Sequence, residues 1–444
     1  MGELSPTDAR TSTEIRSTAR AIFLHALAES GISRAFEANI ENNRGVLRIC
    51  EDLYDLSAYS HVFVISIGKA AHTMVNALVR EVPTGLVGIA VGSTEATAQA
   101  PGFRYFCGGH PLPNAESLHA GDSILRAIAA AKENSLVIFM VSGGGSAVLE
   151  KPIDEQITLD DLIATYRELV NSGAPIAQIN AIRKHLSAIK GGRLAQAAAP
   201  ARQVSILVSD VPDNALDSLA SGPTMADSST VEACYRIAND YGITEKFPAS
   251  VQSLFRQHAL EETPKATDPA FANSRWWTIL SNATARKAAA EHAASAGFTV
   301  EEDNSCDDWD YARAADYLLD RVRKLRQGAS RVCLLSGGEV TVKIDGPCGA
   351  GGRNQQFALY CADKIKNDNI CVLSAGTDGI DGVSPAAGAV VDGSTLHRAR
   401  EQQFDPAASL KAFDAYPLFR EIGDAIETGA TGTNVRDLRI LLAW

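Results

Sequence analysis

One local pattern recurs along the chain and limits the folds open to it: a short apolar run, a glycine-containing turn, then an alanine-rich stretch with helical spacing. Such runs lie at His61–Ile67 (HVFVISI), 86–91, Phe103–Cys107, 135–141 (SLVIFMV) and 203–208. They are continuously apolar rather than alternating, which suits parallel strands covered on both faces. Strands separated by helices build βαβ units, so the pattern predicts a doubly wound α/β domain. An amphipathic helix is expected over 13–29, behind a loose polar tail of a dozen residues.

At 444 residues the chain exceeds what one core organises, which suggests two domains. Its 35 glycines and 6% aromatic content fit many tight strand-to-helix turns. Two helical patterns between Asp227 and His258 are interrupted by Gly242 and Pro248, and the polar stretch 261–274 carries two prolines. The boundary is therefore expected after residue 260, giving domains 1–260 and 261–444. In the second, strands are expected at 276–280, 298–301, 332–335, 340–344, 370–373 and 387–391. Run 340–344 follows its predecessor after only a few residues, so that pair should be antiparallel and the sheet mixed.

A formal charge of −12 argues against a nucleic-acid partner, because phosphate backbones need clustered Lys and Arg. Any bound anion must be met by local groups. The eight cysteines form no CxxC and accompany no His at zinc-finger spacing, and Cys333 and Cys371 sit inside apolar runs as small core residues. There is no signal-peptide pattern and no apolar run near the roughly 18 residues of a membrane span. A cytoplasmic protein without membrane contact is expected.

In open α/β sheets ligands gather at the carboxyl ends of strands. Five such strand ends carry chemistry, together with one helix start. After HVFVISI come Gly68 and Lys69 at the start of a helix, where the dipole disfavours a cation unless an anion shares the site. After SLVIFMV come Ser142, Gly143, Gly144, Gly145 and Ser146, whose amides could cradle phosphate. This is neither a Walker A loop nor a full GxGxxG, since position 148 is Val. After 203–208 comes Asp210, able to hold Mg²⁺, to accept a hydroxyl proton or merely to cap a helix. The run 332–335 leads into Ser336-Gly337-Gly338-Glu339. The run 370–373 leads into Thr377-Asp378-Gly379-Ile380-Asp381, where two acids three apart suit a hard cation or a plain turn. Finally GPCGAGGRNQQ places Arg353 and Asn354 at a helix start, and Arg can grip a carboxylate or phosphate bidentately. KGGRLAQ at 190–196 shows that GGR alone is weak evidence. His110 in GGHPLPN is either an acid/base or a structural turn residue, and the basic run Arg183-Lys184-His185 reads as a solvated helix face.

Taken in order, SIGKAA, GGHPLPN, VSGGGSA, RKHLSAIKGGRLA, VSDVPDN…SGPT, LLSGGEVTV, GGRNQQFAL, AGTDGIDG and GATGTNVRDL resemble the glycerate 2-kinases of the MOFRL type, some labelled hydroxypyruvate reductases. The resemblance implies a Rossmann-like N-terminal domain, a mixed-sheet C-terminal MOFRL domain and an active site in the cleft between them. It implies ATP- and Mg²⁺-dependent conversion of D-glycerate to 2-phosphoglycerate, with D-glycerate and the nucleotide as partners and a homodimer as a compatible assembly. It assigns Lys69 and Arg353 as the functional cations. With that assignment, Asp210 joins them as a catalytic residue, and Ser142 to Ser146, His110 and Asn354 are expected at substrate or phosphate. Ser336, Gly337, Gly338, Glu339 and Thr377 are expected at the nucleotide, and Asp378 and Asp210 at the metal. The chain has SGPTMAD and GATGTNV where SGPTVPD and GPTGTNV are expected, departures confined to loops.

Overall fold

A computed structural model describes residues 6–444 apart from 84, 345 and 367, with side chains from residue 13 onward. The chain forms two compact units, Ile32–Ile279 and Leu280–Trp444 together with the N-terminal segment through Gly31. The boundary thus lies some twenty residues beyond the expected one after residue 260, and the N-terminal helix joins the second unit rather than the first. That helix begins at Pro6, so residues 6–12 of the expected tail are helical, while the first five lie outside the described residues.

In the first unit a six-stranded sheet runs in the order Phe103–Cys107, Val87–Gly92, His61–Ile67, Ser135–Ser142, Arg202–Val208, Ser274–Leu280. Neighbours from Phe103 to Val208 pair in parallel. Every residue of Ser135–Ser142 is buried, as a strand covered on both faces requires. The strand order reverses between His61–Ile67 and Ser135–Ser142, which makes their carboxyl ends the switch point where open sheets bind ligands. A small antiparallel sheet of Ile40–Asn43, Val46–Ile49 and Asp52–Asp55 precedes it.

The basic run Arg183-Lys184-His185 is not a solvated face. Helix Ile176–His185 packs against Val231–Asp240 and the turn Leu216–Ser221, so its charges point into protein. Lys184 binds Asp227 at 3.0 Å and Asp217 at 3.2 Å, His185 Nε2 meets Glu262 at 3.0 Å, and the Arg183 guanidinium lies 4.7 Å over the Tyr166 ring. Lys190 of the first GGR segment is fully buried against Glu150, whose other oxygen accepts from Ser187 at 2.5 Å. Burying such charges is tolerable only because each is paired.

In the second unit the sheet order is Thr299–Glu302, Val332–Gly337, Asp437–Ala443, Ile370–Gly376, Gly388–Asp392, Ala425–Ile426. The first pair is parallel and the rest antiparallel, so the sheet is mixed as expected but for a different reason. Residues 340–344 form no strand: Thr341 makes a single bridge to Asp310, and the antiparallel partner of Val332–Gly337 is the C-terminal strand Asp437–Ala443. Gly338 turns the chain away at φ +96°, and the next amide, of Glu339, donates to Asp307 instead of extending the ladder.

Helix Pro6–Glu29 covers one face of this sheet. Ile15, Ala19, Ile22, Phe23 and Ala26 fall on one helical stripe and pack with Phe298, Leu373, Leu438 and Ile440. Arg16 pairs with Asp392, and Arg20 donates to the carbonyls of Ala425 (3.0 Å) and Gly423 (2.6 Å). Cys333 and Cys371 are fully buried core residues. Among the described residues no helix is long and apolar enough to cross a membrane.

Candidate active site

At the switch point of the first unit, three loops lock together through backbone groups. The amide of Lys69 donates to the Gly143 carbonyl at 2.9 Å, and the amide of Ala70 donates to Ser142 Oγ at 3.1 Å. Ser142 Oγ in turn donates to the Ile67 carbonyl at 3.1 Å, so this buried serine braces the loops. Gly68 sits at φ +112°, where a side chain would collide with Ser142. Lys69 comes just before the helix Ala71–Glu81 rather than inside its first turn. Its side chain is exposed and runs across Gly144, whose φ of +77° and lack of Cβ leave room for it. The Asp210 carboxylate packs directly on Gly143.

His110 faces the same glycine loop. Partial burial, and then the charge of Lys69, hold its imidazole below the usual histidine pKa, which keeps it neutral at physiological pH. Ser146 Oγ lies 2.7 Å from Ser221 Oγ, in a turn where Ala220 and Ser221 adopt positive φ. Lys69, His110, the glycine loop and Asp210 therefore form one cluster.

The second unit has its own cluster. The start of strand Asp437–Ala443 lies beside the carboxyl ends of Val332–Gly337 and Ile370–Gly376, because it runs antiparallel to both. This brings Asp437 to Arg353, the first residue of helix Arg353–Lys364. Arg353 Nε and Nη2 reach the two Asp437 oxygens at 2.6 and 3.0 Å, and Nη2 also lies 3.1 Å from Glu339. Burial works against the guanidinium charge, but the hydrogen bonds and charges of Asp437, then Glu339, outweigh it and raise the Arg353 pKa.

The helix start has its own anion as well. The buried Asp381 carboxylate accepts the amides of Asn354 (3.0 Å) and Gln355 (2.9 Å), matching the positive end of the helix dipole. Burial dominates at Asp381 and pushes its pKa up to about 6, against the opposing amide hydrogen bonds. Asp378 is half-buried and its pKa is likewise raised, by burial first and, among its neighbours, by the charge of Asp437. A carboxylate destabilised in this way would gain from a cation beside it, though among the described residues no group of three or more possible metal ligands gathers.

A pocket of about 420 Å³ opens next to this cluster, lined by the 348–353 loop, Val342, Ile344, the 380–383 turn and Phe413, with Asp378 and Arg353 among its polar walls.

The remaining expected residues are placed as follows. Asn354 is buried and bonded to Asp381 and Ser374. Ser336 is fully buried; the Gly337 amide donates to Asn304, and Arg439 binds the carbonyls of Gly337 and Gly338. Thr377 is buried between the backbones of Val435 and Arg436. These groups brace the loops rather than face outward. Asp437 is the acid of the cluster that the sequence did not single out, and Asp381, expected with Asp378 at a hard cation or a plain turn, caps the helix start. The signal for Asp437 is present in NVRDL, where a carboxylate opens the last apolar run.

Comparison with known proteins agrees along the length of the chain. Residues 18–256 match the family described as Domain of unknown function (DUF4147), and residues 332–437 match the MOFRL family. A glycerate 2-kinase of Pyrococcus horikoshii is 34% identical over 385 residues, 86% of this chain and 87% of its own. A protein of Agrobacterium vitis that carries a hydroxypyruvate reductase name is 38% identical over 85% of this chain and 86% of its own. The crystal structure of a glycerate kinase from Thermotoga maritima matches with a TM-score of 0.84 at 30% identity, covering 97% of this chain and 100% of that one. The chain belongs to the family that joins a DUF4147 domain to a MOFRL domain, in which glycerate 2-kinases are found.

Proposed function

We propose that this chain is a glycerate 2-kinase, transferring the γ-phosphoryl group of ATP to the C2 hydroxyl of D-glycerate. The observation that carries this reading is that 85% or more of the chain aligns with relatives named glycerate 2-kinase, on a matching two-unit fold. Phosphoryl transfer asks a protein for positioning and charge neutralisation more than for covalent chemistry. Lys69, an exposed cation resting on a glycine loop at a switch point, neutralises the oxygens of the transferring group. Arg353, held in one orientation by Asp437, grips the glycerate carboxylate or the phosphoryl group. Asp210 takes the proton of the C2 hydroxyl, and neutral His110 donates a hydrogen bond to a substrate oxygen. Asp378 holds Mg²⁺, which when bound neutralises phosphate charge.

The reductase name of the Agrobacterium vitis relative supplies the second reading, NAD(P)H-dependent reduction of hydroxypyruvate. Against it stands the glycine loop, which lacks the third glycine of a dinucleotide site and has Lys69 lying across it. The test pairs two assays on the purified chain. D-glycerate with ATP and Mg²⁺ should yield ADP and 2-phosphoglycerate, and hydroxypyruvate with NADH should leave the nicotinamide absorbance unchanged. Nicotinamide oxidation without ADP release selects the reductase, and silence in both leaves a non-catalytic binder.

A further inference from the structure

The pocket beside Arg353 has a composition that glycerate does not require. Its walls are Val342, Ile344, Cys348, Ile380, Val383 and Phe413. Ile344, Ile380 and Val383 are 45%, 52% and 76% exposed, so three large apolar side chains stand in water around one cavity. Such a cluster on a folded surface marks a place that an apolar surface covers. At about 420 Å³ the cavity falls within the range of small-molecule sites, roughly 300–1,000 Å³.

Its polar groups narrow the occupant. The positive end of helix Arg353–Lys364 is matched by Asp381, and the Arg353 guanidinium spans Asp437 and Glu339. Two amides of the rim loop are used internally: Gly349 donates to the Ala412 carbonyl at 3.1 Å and Ala350 to Asp414 at 2.8 Å. The cavity therefore has apolar walls, with the Asp378 carboxylate and the Arg353 guanidinium at its edge; the Asp381 oxygens are already taken by Asn354 and Gln355. Neither phosphate nor a small hydroxy acid is matched by those apolar walls. A flat, neutral heteroaromatic ring is, because its faces meet the aliphatic walls and leave the charged groups at the edge for the chain the ring carries.

We infer that this pocket takes the nucleobase of the phosphoryl donor, an adenine ring lying between the 342–344 and 380–383 segments. The inference rests on the kinase reading and adds to it a location, and it moves the base away from the Ser336–Glu339 loop. The Arg353 cluster at the pocket's inner wall is then on the side from which the phosphate chain leaves.

Cys348 provides a direct readout. It lines the pocket and is the exposed one among the eight cysteines; Cys50 and Cys107 are partly covered and the others buried. Alkylation of the full chain with iodoacetamide, followed peptide by peptide by mass spectrometry, gives the Cys348 rate with Cys50 and Cys107 as internal references. Adenosine, which carries no phosphate, should slow Cys348 labelling about tenfold at ten times its dissociation constant. D-glycerate and inorganic triphosphate should leave it unchanged. Unchanged labelling with both adenosine and ADP, in a preparation that turns over D-glycerate, overturns the base site and leaves the kinase standing. Protection by adenosine without turnover keeps the base site and overturns the kinase. Protection by D-glycerate alone makes the pocket an acceptor site and overturns the inference. As a second measurement, Val383→Trp at the exposed rim should raise KM for ATP about tenfold, with KM for D-glycerate and Tm unchanged; unchanged KM for ATP counts against the site.

Discussion

Asp437 holds Arg353 through two parallel hydrogen bonds, Nε at 2.6 Å and Nη2 at 3.0 Å, and it does so from a side chain only 1% exposed. The buried carboxylate has the guanidinium as its charge partner, and the guanidinium could not keep one orientation without the carboxylate. Asp437→Ala should therefore act on two readouts. Breaking a buried pair costs about 3–5 kcal/mol. Arg353 is about a third exposed and water screens part of that loss, so about 2–3 kcal/mol is expected by urea unfolding. The kcat should fall on the order of 100-fold as Arg353 loses its aim. Arg353→Ala should cost more, about 100- to 1000-fold in kcat/KM, and Arg353→Lys should restore little of it because an ammonium cannot make the paired contact. Wild-type turnover in Asp437→Ala would show that the orientation of Arg353 is immaterial.

Gly144 offers a test in the other unit that removes no functional group. Its φ of +77° disfavours any side chain, and a Cβ there would lie 2.9 Å from Lys69 Cγ. Gly144→Ala should cost about 1–2 kcal/mol from left-handed strain and displace Lys69 from the loop. The expected result is a folded protein whose kcat drops at least about tenfold. Circular dichroism and steady-state kinetics together check it; unchanged kcat would mean that Lys69 works from elsewhere or not at all.

The first unit's sheet is legible in the sequence because each strand is covered on both faces and so reads as an unbroken apolar run. The glycine positions are legible for a similar reason, since close approach leaves a residue with no alternative, as at Gly68 against Ser142. The central strand of the second sheet is not. RDLRILLA carries Asp437 and Arg439 into the core, and each is tolerable only through a distant partner, Arg353 for one and the Gly337 and Gly338 carbonyls for the other. No local pattern contains those partners. The helix Ile176–His185 misleads in the same way, because its basic end is read as solvated until the acids that neutralise it, Asp217, Asp227 and Glu262, are brought in from later in the chain. At the Arg353 loop the sequence poses the right question, which anion sits at a cationic helix start. The structure answers with two carboxylates of the protein itself, Asp381 and Asp437.

Lys69 and His110 should report on each other. Partial burial lowers the His110 pKa, and the lysine charge lowers it further. Removing that charge in Lys69→Met should raise the His110 pKa part of the way back toward its ordinary 6.5, leaving the contribution of burial in place. An NMR titration of the imidazole C–H resonances measures this directly. A His110 pKa identical in the two proteins would separate the groups and remove His110 from the proposed site.

The last prediction concerns the cap on helix Arg353–Lys364. A carboxyl whose pKa is raised on folding favours the protonated native state, so its contribution to stability declines as pH rises from the unfolded value toward the folded one. For Asp381 that window runs from the ordinary 3.8 of an aspartate up to about 6. Other carboxylates, among them Asp161, Asp227, Glu262 and Asp303, are held below their ordinary values and act oppositely, and the bulk pH curve therefore hides this residue. Comparison with Asp381→Asn isolates it. The variant keeps an oxygen for the Asn354 or Gln355 amide but cannot ionise, so it should be less stable than the parent below about pH 4 by the lost hydrogen bond, about 1 kcal/mol. As pH rises toward 6 the parent loses its extra stability, so the difference should shrink and then reverse sign, because the loss over that interval exceeds one hydrogen bond. Urea unfolding in half-unit pH steps, read as the difference between parent and variant, tests the sign. An advantage of the parent that grows with pH over this interval would mean that the amides, not burial, govern Asp381, and that the helix start holds a charged carboxylate already at pH 4.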